Sequence, residues 1–234
     1  MKEATESRTT LVNGITAAYF VVAMTEIMAE LFSYIPVIVV VKPLMPILLM
    51  VLYWCSSDRR NPLFFLAISF SVITNILFIP NDQKMLFFGI IAFMIHRIVI
   101  LYYIFKLVKI TDYIPVAIAT IPFLLVFFYL LASSEVPENS FLLLVIQNIL
   151  IAIFGGIALS NYIMHDNKKN SWLLICGLLF VALQFIVFIE KYYLSGLSPA
   201  IFRPIAMGLN AFAFYTFYEF VSAIEKSDDN GASH

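Results

Sequence analysis

Charged residues and cysteines are scarce in this sequence of 234 residues, and no cluster of basic residues occurs. Only 12% of the residues are Asp, Glu, Lys or Arg, and the formal net charge is −1. A nucleic-acid-binding protein carries a basic patch or stripe, so that class is excluded. The two cysteines, Cys55 and Cys176, lie far apart and lack CxxC spacing, which excludes a disulfide scaffold. We expect both thiols to be reduced.

Hydrophobic residues make up 62% of the chain instead. They form uninterrupted apolar runs of about 20 residues, the length that crosses a bilayer as an α-helix. A transmembrane barrel would show alternating segments of about 10 residues, and no such alternation is present in the sequence. The composition therefore predicts an all-α, polytopic membrane bundle.

Short polar clusters such as CSSDRRN, PNDQK and HDNKKN divide the chain into eight apolar stretches. We expect these stretches to form a single transmembrane domain at residues 11–224. Residues 1–10 are predicted to be a cytoplasmic N-terminus, and residues 225–234 a disordered cytoplasmic tail. The predicted spans are Leu11–Phe32, Tyr34–Trp54, Pro62–Pro80, Met85–Val108, Tyr113–Ala132, Ser140–Met164, Ser171–Glu190 and Leu197–Ile224.

Lysine and arginine residues outside the predicted spans are distributed unevenly between the two sides of the membrane. The N-terminus, the second, fourth and sixth loops and the C-terminus hold nine of the fourteen, whereas the other loops hold only Lys84 and Lys191. The positive-inside rule then places both termini in the cytoplasm, which requires an even number of spans. We expect an integral membrane protein, located in the plasma (inner) membrane if the source is bacterial.

Polar side chains inside the predicted spans lie at similar depths. Counted at about 1.5 Å per residue from the outer end of each span, nearly all of them fall in the outer half of the bilayer. Such side chains are costly in hydrocarbon and normally face a bundle interior or a water-filled cavity. The layer predicts one polar pocket that opens outward and draws on every span except the fifth. Its members are Glu26, Glu30, Lys42, Asn75, His96, Arg97, Gln147, Asn148, Gln184 and Arg203.

The charged members of this layer allow two interpretations. Glu26 and Glu30 share one face of the first span, and two adjacent carboxylates in a low dielectric need cations nearby. Lys42, Arg97 and Arg203 provide them. The five groups are either structural ion pairs or parts of a functional site.

The uncharged polar members have a simpler default interpretation. His96 is either an interhelical hydrogen-bonding residue or a catalyst beside Arg97. The four amides of the layer are expected to form interhelical hydrogen bonds. Glu190 and Lys191, at the outer boundary of the seventh span, are predicted to anchor that span at the interface.

Two spans carry architectural signals only. The sixth has Ala152, Gly156 and Ser160 at four-residue spacing, a row of small residues that predicts close approach of a neighbouring helix. The fifth contains two prolines and no charged side chain, and we expect it to be structural and to face lipid.

Five strings follow one another along the chain from Lys42 onward. They are VKPLMPILL in the second span, SFSVITNILF in the third, FFGIIAFMIHR in the fourth, GLLFVALQF in the seventh and the tyrosine-rich FAFYTFYEFVSA in the last. In this order they resemble segments of the YhhN family, eight-span membrane proteins that include the lysoplasmalogenases. The chain looks like a divergent member of that family.

The resemblance implies a membrane-embedded hydrolase that cleaves the vinyl ether of a lysoplasmalogen into a fatty aldehyde and a glycerophospho headgroup. No metal and no organic cofactor is implied. Lys42 matches the lysine of the family's KPL segment, and His96 matches the histidine of the fourth span. Asn75 and Gln184 stand at the two positions where the family usually carries acids. Both are amides here, and an amide cannot deliver a proton as a carboxylic acid does.

Two hypotheses from different classes follow. In the first, the chain hydrolyses a lysophospholipid or another membrane lipid by means of a relocated acid. In the second, it is catalytically silent and binds a lipid or a small amphipathic molecule, or serves as a subunit of a membrane assembly. A proton-coupled transporter is disfavoured because no pair of broken spans occurs at corresponding positions. For the first hypothesis the candidate catalytic residues are Glu26, Glu30 and His96, and the candidate substrate-binding residues are Lys42, Asn75, Arg97, Gln184 and Arg203.

Overall fold

The computed structural model describes residues 2–80, 82–110, 112–134, 136–194 and 200–231, which form eight α-helices and one π-helical turn without any strand. The predicted all-helical class is confirmed for this part of the chain. The helices are α1 (Lys2–Leu31), α2 (Ile35–Ser56), α3 (Pro62–Leu77), α4 (Gln83–Leu107), α5 (Tyr113–Ala132), α6 (Glu138–Met164), α7 (Lys168–Phe188) and α8 (Phe202–Gly231), and the π-helical turn Ile189–Tyr193 continues α7.

Six of the described helices are long and apolar enough to cross a membrane, and they are α1, α2, α4, α5, α6 and α7 with its π-helical turn. The other two are α3, which has only 16 residues, and α8. Apolar helices of this length pair their backbone N–H and C=O groups within the helix, as the hydrocarbon of a bilayer requires. The protein is therefore an integral membrane protein, as predicted.

Polar residues in the connecting clusters start four of the helices. The side chain of Asn61 accepts a hydrogen bond from the backbone N–H of Leu63 at the start of α3. Asp82, Asp112 and Asn167 accept from backbone N–H groups at the starts of α4, α5 and α7 in the same way. The first N–H groups of a helix have no partner inside it and favour such acceptors. At these four points the helices begin close to the predicted spans.

The two ends of the chain differ most from the predicted bounds. α1 begins at Lys2, so the predicted N-terminal segment is helical. α8 continues to Gly231, so the predicted tail is helical up to that residue rather than disordered. Leu197, where the last span was predicted to begin, lies outside the described residues, as do residues 232–234.

A buried carboxylate accounts for the continuation of α8. Glu225 accepts hydrogen bonds of 2.6 Å from the hydroxyls of Tyr53 and Ser57 on α2 and just beyond it. At the same end of the bundle Arg8 forms a 2.9 Å ion pair with Asp58, and the hydrogen bond from Arg8 lowers the pKa of the Asp58 carboxyl. This polar network lies at the end of the bundle that holds both termini.

Helices that follow one another in sequence pack side by side in most cases, and the first packs against the last. α4 contacts α6 as well as α3, and α7 contacts both α6 and α8. Aromatic rings pack in the interior next to this network, where Tyr53 stacks on Phe64 with centroids 4.0 Å apart and Phe64 stacks on Phe217 at 5.6 Å. α5 lies at the periphery against α6 and exposes most of its apolar side chains.

The close approach predicted for the sixth span occurs between α5 and α6. A Cβ atom added at Gly156 would overlap the hydroxyl of Thr120 and lie 3.0 Å from the Cα atom of the same residue. Ala152 and Ser160, on the same face, are buried as well. The row of small residues therefore permits backbone contact between the two helices.

Replacing Gly156 with alanine should destabilise the bundle, because the backbone of α5 has to move. We expect Gly156→Ala to lower the free energy of unfolding by about 1–3 kcal/mol, measured by denaturant titration in mixed micelles. Gly14 is the matched control, because an added Cβ there meets nothing within 4 Å. Gly14→Ala should leave stability unchanged or raise it by up to about 1 kcal/mol. Equal stability of the two variants would contradict the close approach.

Candidate functional site

A cavity of about 120 Å³ opens between the helices at the end of the bundle opposite to both termini. Seven of the eight helices line it, and only α5 does not. Its lining combines apolar side chains with a set of charged and amide groups. That set consists of Glu30, Lys42, Asn75, Gln147, Gln184, Lys191, Arg203 and Asn210.

The first charged contact in the cavity joins α1 to α2. The Nζ atom of Lys42 lies 2.8 Å from the Oε1 atom of Glu30, and both residues are buried. Ions are expensive in a low dielectric, and each of these charges makes burial of the other tolerable. Glu30 and Lys42 were predicted to be either a structural ion pair or parts of a functional site, and the geometry present is that of an ion pair.

A second charged contact joins α8 to the π-helical turn. The Nε atom of Arg203 donates a 2.9 Å hydrogen bond to the Oε1 atom of Glu190. The Glu190 side chain is 8% exposed, whereas that of Arg203 is 50% exposed. Glu190 was predicted to be an interfacial anchor, but it is a buried partner of a cavity-lining cation. Counting residues along a regular α-helix does not predict that Glu190 is buried here, because the π-helical turn alters the direction of the side chains.

The amide of Asn75 satisfies a backbone carbonyl that α2 leaves without a partner. The carbonyl of Lys42 would normally accept from the N–H four residues later, but that residue is Pro46, which has no N–H. The Nδ2 atom of Asn75 donates to the Lys42 carbonyl oxygen at 2.9 Å. The contact therefore links α3 to the proline-containing segment of α2.

The other amides also bond between helices, as predicted. The Nε2 atom of Gln184 on α7 donates to the Oδ1 atom of Asn148 on α6 at 2.7 Å. The Nε2 atom of Gln147 on α6 donates to the carbonyl of Ile90 on α4 at 2.9 Å. Two consecutive residues of α6 thus connect it to helices on both sides.

Three of the predicted site residues do not line the cavity. Glu26 lies one turn below Glu30 on α1 and is 1% exposed. Neither of its carboxyl oxygens has a hydrogen-bond partner among the described residues, although Glu26 interacts electrostatically with Lys42. His96 and Arg97 are buried deeper than the cavity, on the middle part of α4.

Phe93 separates His96 and Arg97 from the cavity. Its ring lines the cavity, and it stacks on the His96 ring with centroids 5.9 Å apart. The Cζ atom of Arg97 lies 4.1 Å from the centre of the same ring. The Nδ1 atom of His96 is 2.7 Å from the carbonyl oxygen of Ala67, and since a carbonyl only accepts, Nδ1–H is the donor.

Of the eight candidate site residues, five line the cavity and three do not. The five are Glu30, Lys42, Asn75, Gln184 and Arg203. Sequence reasoning missed Lys191 and Asn210 as members of the lining. Among the residues that the structure describes, no group of three or more His, Cys, Asp or Glu side chains is arranged to hold a metal ion.

The fold and the cavity define an integral membrane protein with a charged cavity inside an all-helical bundle. The model of the YhhN family matches residues 37–219, and the chain belongs to the YhhN family. The resemblance seen in the five sequence strings is thereby confirmed. No curated protein matches the chain, and no solved structure matches it.

Removing one partner of the buried Lys42–Glu30 pair should be costly, because the other charge is left uncompensated. We expect Lys42→Met to lower the free energy of unfolding by about 3–5 kcal/mol in a denaturant titration, and Lys42→Met combined with Glu30→Gln to recover part of this loss. Asp58→Asn is the control, since the Asp58 side chain is 82% exposed in its pair with Arg8. Its cost should stay below about 1 kcal/mol. A Lys42→Met variant as stable as Asp58→Asn would show that the buried pair is not required.

Proposed function

We propose that this protein is a lysoplasmalogenase-type hydrolase that takes the headgroup of a lysophospholipid into the cavity and cleaves a vinyl ether there. The observation that carries the proposal is the composition of the cavity lining. The family lysine Lys42 and the two positions at which the family usually carries acids, Asn75 and Gln184, all line one cavity. Family membership supports the same assignment.

We further propose that all eight helices cross the membrane, with both termini in the cytoplasm and the cavity open to the outer side. The uneven distribution of lysine and arginine supports this orientation. α3 and α8 are too closely packed against α2, α4, α7 and α1 to lie outside the bundle. In a bacterial source the membrane would be the plasma (inner) membrane.

Glu30 is the best placed acid for the reaction. Hydrolysis of a vinyl ether begins with transfer of a proton to the alkene carbon, which gives an oxocarbenium ion. Water then adds, and the hemiacetal divides into an aldehyde and the alcohol of the headgroup, so that one water is consumed and the proton is returned. Glu30 lines the cavity, and transfer of a proton from Lys42 within the 2.8 Å pair would give the carboxylic acid that protonates the alkene. The proton released when water adds then returns to the pair.

The other candidate acids fit this role less well. Glu26 is close to the pair but does not line the cavity. His96 is 0% exposed, lies beyond the Phe93 ring and already uses Nδ1–H for the carbonyl of Ala67. Either residue would need a rearrangement of the cavity floor before it could reach a substrate.

A second candidate function is binding of the same class of lipid without hydrolysis. The observation that favours it is that Glu30 and the amides at the two family positions already have partners. Glu30 is paired with Lys42, Asn75 bonds to the Lys42 carbonyl and Gln184 bonds to Asn148. An aspartic acid at position 75 would lie beside the carbonyl of Lys42, to which only the protonated carboxyl can donate a hydrogen bond. A protonated carboxyl suits a proton donor, and the amide of Asn75 cannot take that role.

Aldehyde release from a lysoplasmalogen by the purified protein in lipid discs tests the hydrolase directly. We expect release by the wild type, and loss of about 100-fold or more in Glu30→Gln, since general acid catalysis contributes about 10²–10⁴-fold. Glu6→Gln, which removes an exposed carboxyl from the same helix, should retain full activity. A lysophospholipid with an ester in place of the vinyl ether should release no aldehyde.

Wild-type protein that releases no aldehyde, but melts at a higher temperature when lysolipid is added, would support the binding function instead. Unchanged release in Glu30→Gln would show that another group is the acid. The Glu6→Gln variant and the ester substrate are not expected to produce either of these results.

Restoring the two acids offers an independent test. We expect the double variant Asn75→Asp with Gln184→Asp to release aldehyde at least about 100-fold faster than the wild type, because both carboxyls would face the cavity. Asn148→Asp with Gln147→Glu is the control, since it adds two carboxyls at the same depth and only Gln147 lines the cavity. The melting temperature of each variant reports whether it is folded. No gain in a folded double variant would contradict a shared catalytic cavity.

A further inference from the structure

The charges around the cavity do not cancel. Lys42, Lys191 and Arg203 line it, and Glu30 and Glu190 are the two carboxylates paired there, with Lys42 and Arg203 respectively. Lys191 makes no hydrogen bond and no ion pair with any residue that the structure describes. One cavity-lining cation is therefore left without a carboxylate of its own.

The surroundings of Lys191 hold its ammonium group at the cavity. Its Nζ atom lies 5.4 Å from the centre of the Phe78 ring, which also lines the cavity. Lys191 interacts electrostatically with Glu190, Arg203 and Lys42, so all four charges belong to one cluster. A cation–π contact of this kind orients an ammonium group but does not neutralise it.

Two consecutive charged residues, Glu190 and Lys191, lie in the π-helical turn beside the cavity. Ile189–Tyr193 is wound as a π-helix, with Glu190 directed to Arg203 and both Lys191 and Tyr192 lining the cavity. Single π-helical turns are rare and occur frequently at functional sites.

Charge balance indicates what the unpaired ammonium group binds. The three cations and two carboxylates of this cluster leave one positive charge. Glu26 and Arg97, buried beneath the lining, add one charge of each sign and do not change this balance. A phosphodiester with its single negative charge would neutralise the remaining positive charge. A neutral ligand would leave the ammonium group uncompensated in a low dielectric, which is unfavourable. Lysine binds phosphate as a point charge and donates up to three hydrogen bonds.

We propose that Lys191 is the phosphate-binding residue of the cavity and makes it selective for a lipid whose headgroup is a phosphodiester. The inference deepens the proposed function, on which it rests for the class of ligand, but it concerns binding and not the chemical step. A single-chain lipid without phosphate should therefore bind more weakly, whether or not the protein hydrolyses its substrate.

The experiment compares dissociation constants, obtained from the shift of the melting temperature with ligand concentration. The probes are lysophosphatidylcholine, monoacylglycerol of the same chain length, and glycerophosphocholine, which has the phosphodiester but no chain. We expect the wild type to bind lysophosphatidylcholine at least about tenfold more tightly than monoacylglycerol, since a charge-assisted contact is worth about 1.5–3 kcal/mol. Lys191→Met should abolish this preference and leave monoacylglycerol binding unchanged.

Two further variants serve as controls. Lys84→Met removes the only other lysine of the loops predicted to lie on the same side, and its side chain is exposed and does not line the cavity. It should keep the preference for lysophosphatidylcholine. Lys191→Arg, which preserves the charge, should restore most of it in a folded protein. Competition by glycerophosphocholine that is lost in Lys191→Met would support recognition of the phosphodiester by Lys191, and competition that persists in this variant would contradict it.

The outcomes separate this inference from the hydrolase. Retention of the preference in Lys191→Met, or its absence in the wild type, would overturn the phosphate-binding role even if aldehyde release is observed. A preference that depends on Lys191 in a protein that releases no aldehyde would support the phosphate-binding role and reject the hydrolase. A folded Lys191→Met variant with unchanged aldehyde release and unchanged KM would likewise reject the inference alone.

Discussion

The buried ion pair between Lys42 and Glu30 is the contact around which the cavity is organised. A lysine on α2 can remain inside an apolar bundle only because a carboxylate on α1 faces it at 2.8 Å. The same residue offers the backbone carbonyl that Pro46 leaves free, and Asn75 brings α3 to it. Glu225 accepts from Tyr53 and Ser57 at the other end of the bundle, so polar contacts join the helices at both ends, and the cavity lies at the end organised by this ion pair.

Much of the fold could be predicted from the sequence because hydrocarbon imposes a simple rule on length and polarity. Long apolar stretches predicted the helices, polar clusters predicted their starts, and the depth of polar residues predicted a cavity shared by seven of them. The continuation of α8 was missed, because the polar composition after Ile224 does not reveal that Glu225 is buried against Tyr53 and Ser57. Tertiary contacts, rather than local composition, keep that segment helical.

The depth of the candidate site residues along their helices could be predicted, but the direction of their side chains could be predicted less well. Counting residues along a span places Glu26, His96 and Arg97 near the cavity, yet it does not show that their side chains lie beneath its lining. Lys191 was predicted to anchor the seventh span and was missed as a lining residue, because a π-helical turn leaves no signature in apolar periodicity. The groups that line the cavity also hold the helices together, so ligand binding in the cavity and the stability of the bundle would depend on the same few contacts.

The shortness of α3 affects the membrane around it. Its 16 residues extend about 24 Å, whereas the hydrocarbon layer of a typical bilayer is about 30 Å thick. In the proposed topology α3 crosses the bilayer, and a helix of this length would be accommodated by local thinning of the bilayer. The last turns of α3 and the residue that caps it contribute Ser71, Asn75 and Phe78 to the cavity. In this topology the membrane surface would dip at the cavity, so that lipid headgroups beside α3 would lie level with it and the proposed single-chain lipid would reach it by lateral diffusion within its own leaflet.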